Sequence, residues 1–203
     1  MNARHFTLVA IAALFATAAS AQSTTSAPAV STATITQRDA NQQERIDQGL
    51  KSGQLTTREA AKLERQEAHV DRVEANALKD GKLSAAEKAH ITAEQNHVSK
   101  DIAQEKHDAQ TGNPQSASSQ RMQAAVQRDA NQEQRIANGV KDGSLTKRET
   151  AKLERGQSHD AKVQARAGAD GHVGAAESAR IQRTENKQSA RILRKKHNDK
   201  VQA

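Results

Sequence analysis

The sequence contains no cysteine, which excludes disulfides, thiolate nucleophiles and cysteine-held metals. It has no tryptophan or tyrosine, and its two phenylalanines, Phe6 and Phe15, lie near the start of the chain. After residue 21 no aromatic remains, and Ile, Leu and Val number only 24 in 182 residues. That is well below the ~20% under which a charged chain is suspected of disorder. It is also too little to line a deep apolar substrate pocket, so an enzyme is not expected. What fills the sequence instead is Ala, Gln, Glu, Lys and Arg, all good helix formers. The expectation is an all-α protein of thin bundles, or helices that order fully only on a partner.

The first residues carry a targeting pattern. A basic start, MNARHF, leads into the apolar run TLVAIAALFATAA and then Ala19-Ser20-Ala21, an A-x-A cleavage site. The run is shorter than the ~20 residues a spanning helix needs. Residues 1–21 therefore predict a cleaved signal peptide and a periplasmic or secreted protein with no transmembrane segment after cleavage. Residues 22–35, small and polar with Pro28, read as a flexible leader.

Beyond the leader the chain repeats itself. Gln37 to Asp108 aligns with Gln127 to Asn198 at a constant offset of ninety, without gaps, and 36 of 72 positions are identical. Such an echo reads as one folding unit used twice. It predicts two tandem three-helix units from a 90-residue duplication, over 36–110 and 120–203, joined by a Gly- and Pro-containing linker over 111–119. In the first unit, helices are expected over Thr36 to Lys51, Thr57 to Lys79 and Ala85 to Ala109. Their apolar residues fall at helical spacing: Ile46 and Leu50; Leu63, Val70, Val73 and Ala77; Ile91, Val98 and Ile102. The second unit substitutes Asp160 for Val70, Gly168 for Leu78 and Gln188 for Val98, so it should have the weaker core.

Four turns punctuate these helices, around Gly53, Gly81, Gly143 and Gly171. In each, an apolar residue follows two positions after the glycine and a glutamate six after it. This spacing resembles a degenerate EF-hand or dockerin-like loop, and the resemblance implies calcium on residues such as Asp80, Glu87, Asp142 and Glu149. The first ligand position holds Gln48, Asn76, Asn138 and Arg166, never an aspartate, and the third holds Leu50, Leu78, Val140 and Gly168, which have no side-chain oxygen to ligate with. A capping reading uses the same residues more fully. Glycine ends one helix in a left-handed conformation. Thr56, Ser84 and Thr146 then cap the next, with Glu59, Glu87 and Glu149 completing capping boxes; Gly174 stands at the fourth cap.

Two further patterns bear on function. His90, Glu94, His97 and Asp101 share one helical face and could hold a transition metal, with His69 or a second molecule completing the ligand set. The second unit has Arg180, Thr184, Lys187 and Arg191 at those positions, so this cannot be a property of both. Charge is uneven: Gln37 to Gln110 carries 12 basic and 14 acidic residues, Thr111 to Ala203 carries 18 and 10. Arg180, Arg183, Lys187, Arg191, Arg194, Lys195 and Lys196 concentrate the excess on the last helix. The leading expectation is a non-enzymatic, exported binding protein that meets an anionic envelope surface or an acidic partner through this helix. Nucleic acid is disfavoured by export and by the lack of stacking aromatics. The alternative is a divalent-cation-binding protein; no other cofactor is expected.

Overall fold

A computed structural model describes residues 30–198. The expected signal peptide and residues 22–29 of the leader lie outside the described residues. Within them are six α-helices and no strand: α1 Thr32–Ser52, α2 Thr57–Ala77, α3 Ala85–Glu105, α4 Ala117–Lys141, α5 Lys147–Ala167 and α6 Ala175–Lys196. None is long and apolar enough to cross a membrane. The chain is all-α, as its composition predicts.

Helix ends follow local chemistry. Gly53, Gly81, Gly143 and Gly171 all have φ between 77° and 88°, the left-handed region that a Cβ disfavours. Thr56, Ser84 and Thr146 each accept a hydrogen bond from the amide of the glutamate three residues on, and that glutamate accepts from the cap amide. At the fourth turn Gly174 offers no side chain, but its N–H still donates to Glu177 Oε2 at 2.8 Å. Leu55 and Leu145 are fully buried beside these turns; Leu83 is only half-buried. Two helices begin earlier than the spacing suggests, and a serine cap explains each. Ser31 caps α1 through the Thr34 amide, so the last part of the expected leader is helical. Ser116 caps α4 inside the expected linker.

The two three-helix runs are consecutive in sequence but are not separate bundles. The most extensive packing joins α1 to α4 and α2 to α5, across the halves. Both pairs run antiparallel, since Gln37 meets Gln134 while Lys51 meets Gln127, and Arg58 meets Asp170 while Arg148 meets Asp80; α3 and α6 pack on the outside of this four-helix centre. Reciprocal contacts show the symmetry. The Arg58 guanidinium donates to Asp170 O (2.8 Å), and ninety residues on Arg148 donates to Asp80 O (3.1 Å). Where α2 and α5 cross, Ser158 Oγ donates to the carbonyl of Ala68, its own counterpart in the repeat. The main apolar cluster draws Ile46, Leu50, Leu63, Val70, Val98 and Ile102 from the first half and Met122, Val126, Val163, Val173 and Ile181 from the second. Each half thus supplies apolar surface that the other buries, which is how so few aliphatic side chains make a core.

Candidate metal centre

The four-helix centre is not filled by aliphatics alone. Asp39, Glu64, Glu67, Asp71, Glu74, Asp129, Glu133, Glu154, Asp160 and Glu185 are all buried. Their positions on α1, α2, α4, α5 and α6 face inward because the helices are polar almost all round, so the inner stripe includes carboxylates and amides. Every buried side-chain polar atom that lacks a partner among the described residues is an oxygen acceptor. Acceptors outnumber donors inside the bundle. Buried carboxylates in that condition must hold a proton or meet a cation.

Glutamine shares out the donors that exist. Gln95 Nε2 donates to Asp39 Oδ1 (2.6 Å), to Glu74 Oε1 (3.1 Å) and to the carbonyl of Ile35. In the second half Gln164 Nε2 donates to Asp129 Oδ2 (2.7 Å) and Glu185 Oε1 (3.3 Å). Positions 74/95 and 164/185 carry Glu and Gln in opposite order, so each half keeps one amide between two carboxylates. The Gln43 amide likewise donates to Glu64 Oε2 at 3.2 Å.

The equivalent of that last pair differs. Where the first half has Gln43 beside Glu64, the second has Glu133 and Glu154. Asp71 from α2 joins them, and one oxygen from each of the three lies within 4.8 Å of the others. Its counterpart across the pseudo-two-fold is Ala161, so the equivalent positions Gln43, Glu64 and Ala161 do not repeat the cluster. Both oxygens of Glu154 and Oε2 of Glu133 are buried without a partner. Gln157 acts to lower the Glu133 carboxyl but does not offset its burial, and no Lys or Arg forms an ion pair with any of the three among the described residues. Burial, then repulsion from neighbouring carboxylates that include Asp39, pushes the carboxyls of Asp71, Glu133 and Glu154 well above their ordinary range. Burial raises Asp39 to about 7, Glu64 to about 8, Asp160 to about 6 and Glu185 to about 7. An all-oxygen donor set of this kind suits a hard divalent cation; Ca²⁺–oxygen bonds of about 2.3–2.6 Å span the spacing.

The residues singled out in the sequence fall elsewhere. The His90–Asp101 face splits in two. Glu94 is flanked by His69 Nε2 (3.6 Å) and His90 Nδ1 (3.9 Å), whereas Asp101 pairs with His97 (3.7 Å) and accepts from Gln66 (2.7 Å). His69 does reach this face from α2. Asp80 and Asp142 each accept from a backbone amide two residues on, and Glu87 and Glu149 serve the caps, so the four calcium-loop residues sit at separate turns. Arg180, Arg183, Lys187, Arg191 and Arg194 form one exposed stripe along α6. Lys195 and Lys196 turn back to Glu149 (3.5 Å) and Asp142 (3.8 Å). Sequence reading missed the carboxylate interior because the seam was sought among apolar residues. The signal that could have found it is the run Glu64, Glu67, Asp71 and Glu74 at spacings of three and four on a helix whose neighbouring positions are apolar. Comparison with protein-family models, with curated proteins and with solved structures finds no match for this chain.

Proposed function

We propose that the protein is an exported divalent-cation-binding protein, and that Asp71, Glu133 and Glu154 hold a hard cation in the four-helix centre. The observation that carries this reading is Glu154: it is fully buried, both its oxygens lack partners, and two more carboxylates converge on it. A cation would replace the protons that the raised carboxyls otherwise hold, so uptake releases protons and strengthens as pH rises. Asp71, Glu133 and Glu154 bind, and their burial in the bundle excludes water. Titrating Mn²⁺ into the folded chain at about pH 8, followed by electron paramagnetic resonance, tests it directly. We expect one Mn²⁺ to be buried in the centre and its affinity to fall about tenfold or more in E154Q, which removes ligand charge without changing shape. Unchanged binding in E154Q, or no Mn²⁺ signal from the folded chain, sinks the reading.

The exposed stripe on α6 supports a second activity, attachment to an anionic surface. Its five basic side chains follow at spacings of 3, 4, 4 and 3 residues, one continuous face. Charge reversal at Arg183, Lys187 and Arg191 should abolish salt-sensitive binding to anionic lipid vesicles and leave Mn²⁺ binding unchanged. Equal vesicle binding by that variant would remove the stripe from consideration.

A further inference from the structure

The repeats also differ where the last helix of each half meets the N-terminus of the middle one. In the second half the capping glutamate is Glu149. Its Oε2 accepts from Thr146, and its Oε1 accepts from Asn198 Nδ2 (2.5 Å) and lies 3.5 Å from Lys195 Nζ. An ammonium and an amide thus neutralise this carboxylate and tie the end of α6 to the start of α5.

Ninety residues earlier the same three positions are Glu59, Glu105 and Asp108. One oxygen from each lies within 4.8 Å of the others. Glu59 is 5% exposed; its Oε2 accepts from the Thr56 amide at 2.8 Å, and its Oε1 is buried with no partner. Two carboxylates therefore stand where the second half has a lysine and an asparagine. The nearby cation is Lys62, a mostly exposed side chain whose ammonium reaches Glu105 Oε1 at 2.5 Å. Three carboxylates against one ammonium leave the cluster net negative. Asp108 is held by Gln110, whose N–H donates to Oδ1 (2.8 Å) and whose Nε2 donates to Oδ2 (3.2 Å).

We infer that Glu59, Glu105 and Asp108 bind a Ca²⁺ ion in the place that the Lys195 ammonium fills in the second half. The second half serves as an internal control, since there an ammonium and an amide lie against the equivalent buried glutamate oxygen. The ligands are all oxygens, which favours a hard cation. Asp108 is exposed, while the Glu105 side chain is 14% exposed, so water entering from the Asp108 side can complete the six to eight oxygens that Ca²⁺ takes. The cation would also lie by the C-terminus of α3, the negative end of its dipole. Bound there, it closes the α2–α3 hairpin as Lys195 and Asn198 close α5–α6.

The test exchanges residues between the halves. Ca²⁺ is titrated into the isotope-labelled folded chain carrying E154Q, which disables the proposed buried site, and amide shifts are followed by NMR. We expect shifts localised to residues 56–62 and 105–110, and an affinity loss of about tenfold or more in E105K/D108N. The reciprocal K195E/N198D should gain Ca²⁺-dependent shifts at residues 146–152 and 195–198, and it reads out even if E105K/D108N fails to fold. Ca²⁺ binding by E105K/D108N equal to that of its parent overturns the inference, as do shifts confined to the surroundings of residue 154. So does the absence of Ca²⁺ binding in both the E154Q chain and K195E/N198D. Loss of Mn²⁺ binding at the centre with Ca²⁺ binding retained at Glu59 would instead separate the fates of the two sites.

Discussion

At the scale of single residues, Glu133 occupies the position at which the other half has Gln43. Gln43 gives Glu64 a donor; Glu133 gives Glu154 another carboxylate. Replacing a buried carboxyl that burial keeps protonated by an isosteric amide removes the cost of holding that proton at neutral pH. E133Q should therefore raise the melting temperature of cation-free protein, by the equivalent of about 1–2 kcal/mol at neutral pH, while weakening Mn²⁺ binding. Calorimetry with and without metal separates the two effects; a destabilised E133Q would contradict the account. Gly168 illustrates a different constraint. A Cβ there would stand 2.8 Å from Ala61 Cβ and 3.2 Å from the carbonyl of Thr57, both fixed parts of α2. G168A should cost about 1–3 kcal/mol through overpacking, despite alanine's higher helix propensity.

At the scale of elements, the caps and the arginine clamps define where helices stop and how they meet. Thr146 accepts from the Glu149 amide, and Glu149 is further tied to Asn198 and Lys195. Burial acts to raise the Glu149 carboxyl, but hydrogen bonds from Asn198 and Thr146 with the Lys195 charge outweigh it and hold the group below its ordinary range. T146A should cost about 1 kcal/mol in denaturant unfolding, and the loss should be larger than for S84A, whose cap is exposed. Arg58 and Arg148 seat their guanidinium groups on the turns at Gly171 and Gly81, fixing the register of α2 against α5. These clamps join residues 112 and 68 positions apart, a pairing that neither turn motif announces.

At the scale of the whole molecule, the buried carboxyls couple folding to pH. Asp39, Glu64, Asp160 and Glu185 have folded values raised to about 7, 8, 6 and 7, above ordinary values of 3.8 and 4.5. The folded chain therefore holds more protons than the unfolded one through this interval, and stability falls as pH rises. Their contribution is complete below about pH 4 and is lost by about pH 8. Cation-free protein should melt highest in mild acid and progressively lower toward pH 8, with a divalent cation flattening the slope. A melting temperature independent of pH would remove the protonated interior from the account. Because α1 pairs with α4 and α2 with α5, residues 30–112 alone should show little helical circular dichroism as a monomer. A stably folded monomeric half would show that the cross-half packing is dispensable.

Much of this architecture was legible in the sequence, and the reasons are local. Glycine at a left-handed position, a threonine or serine three residues later and a glutamate three beyond that suffice to mark a helix stop and start. The register of ninety follows from identities that need no structure to count. The aliphatic positions Ile46, Leu50, Leu63, Val70, Ile91, Val98 and Ile102 were visible from spacing, and all are buried. What tertiary structure alone decided is which faces meet. Helical periodicity says that Asp71, Glu133 and Glu154 lie on particular stripes of three different helices, but a polar stripe reads as solvated until a partner helix covers it. Cross-half pairing covers it, turning carboxylates that would be ordinary on a surface into a low-dielectric cluster short of donors. In the same way the sequence shows Glu105 and Asp108 where the other half has Lys195 and Asn198; only packing brings both against the buried oxygen of Glu59, where the difference in charge calls for a cation.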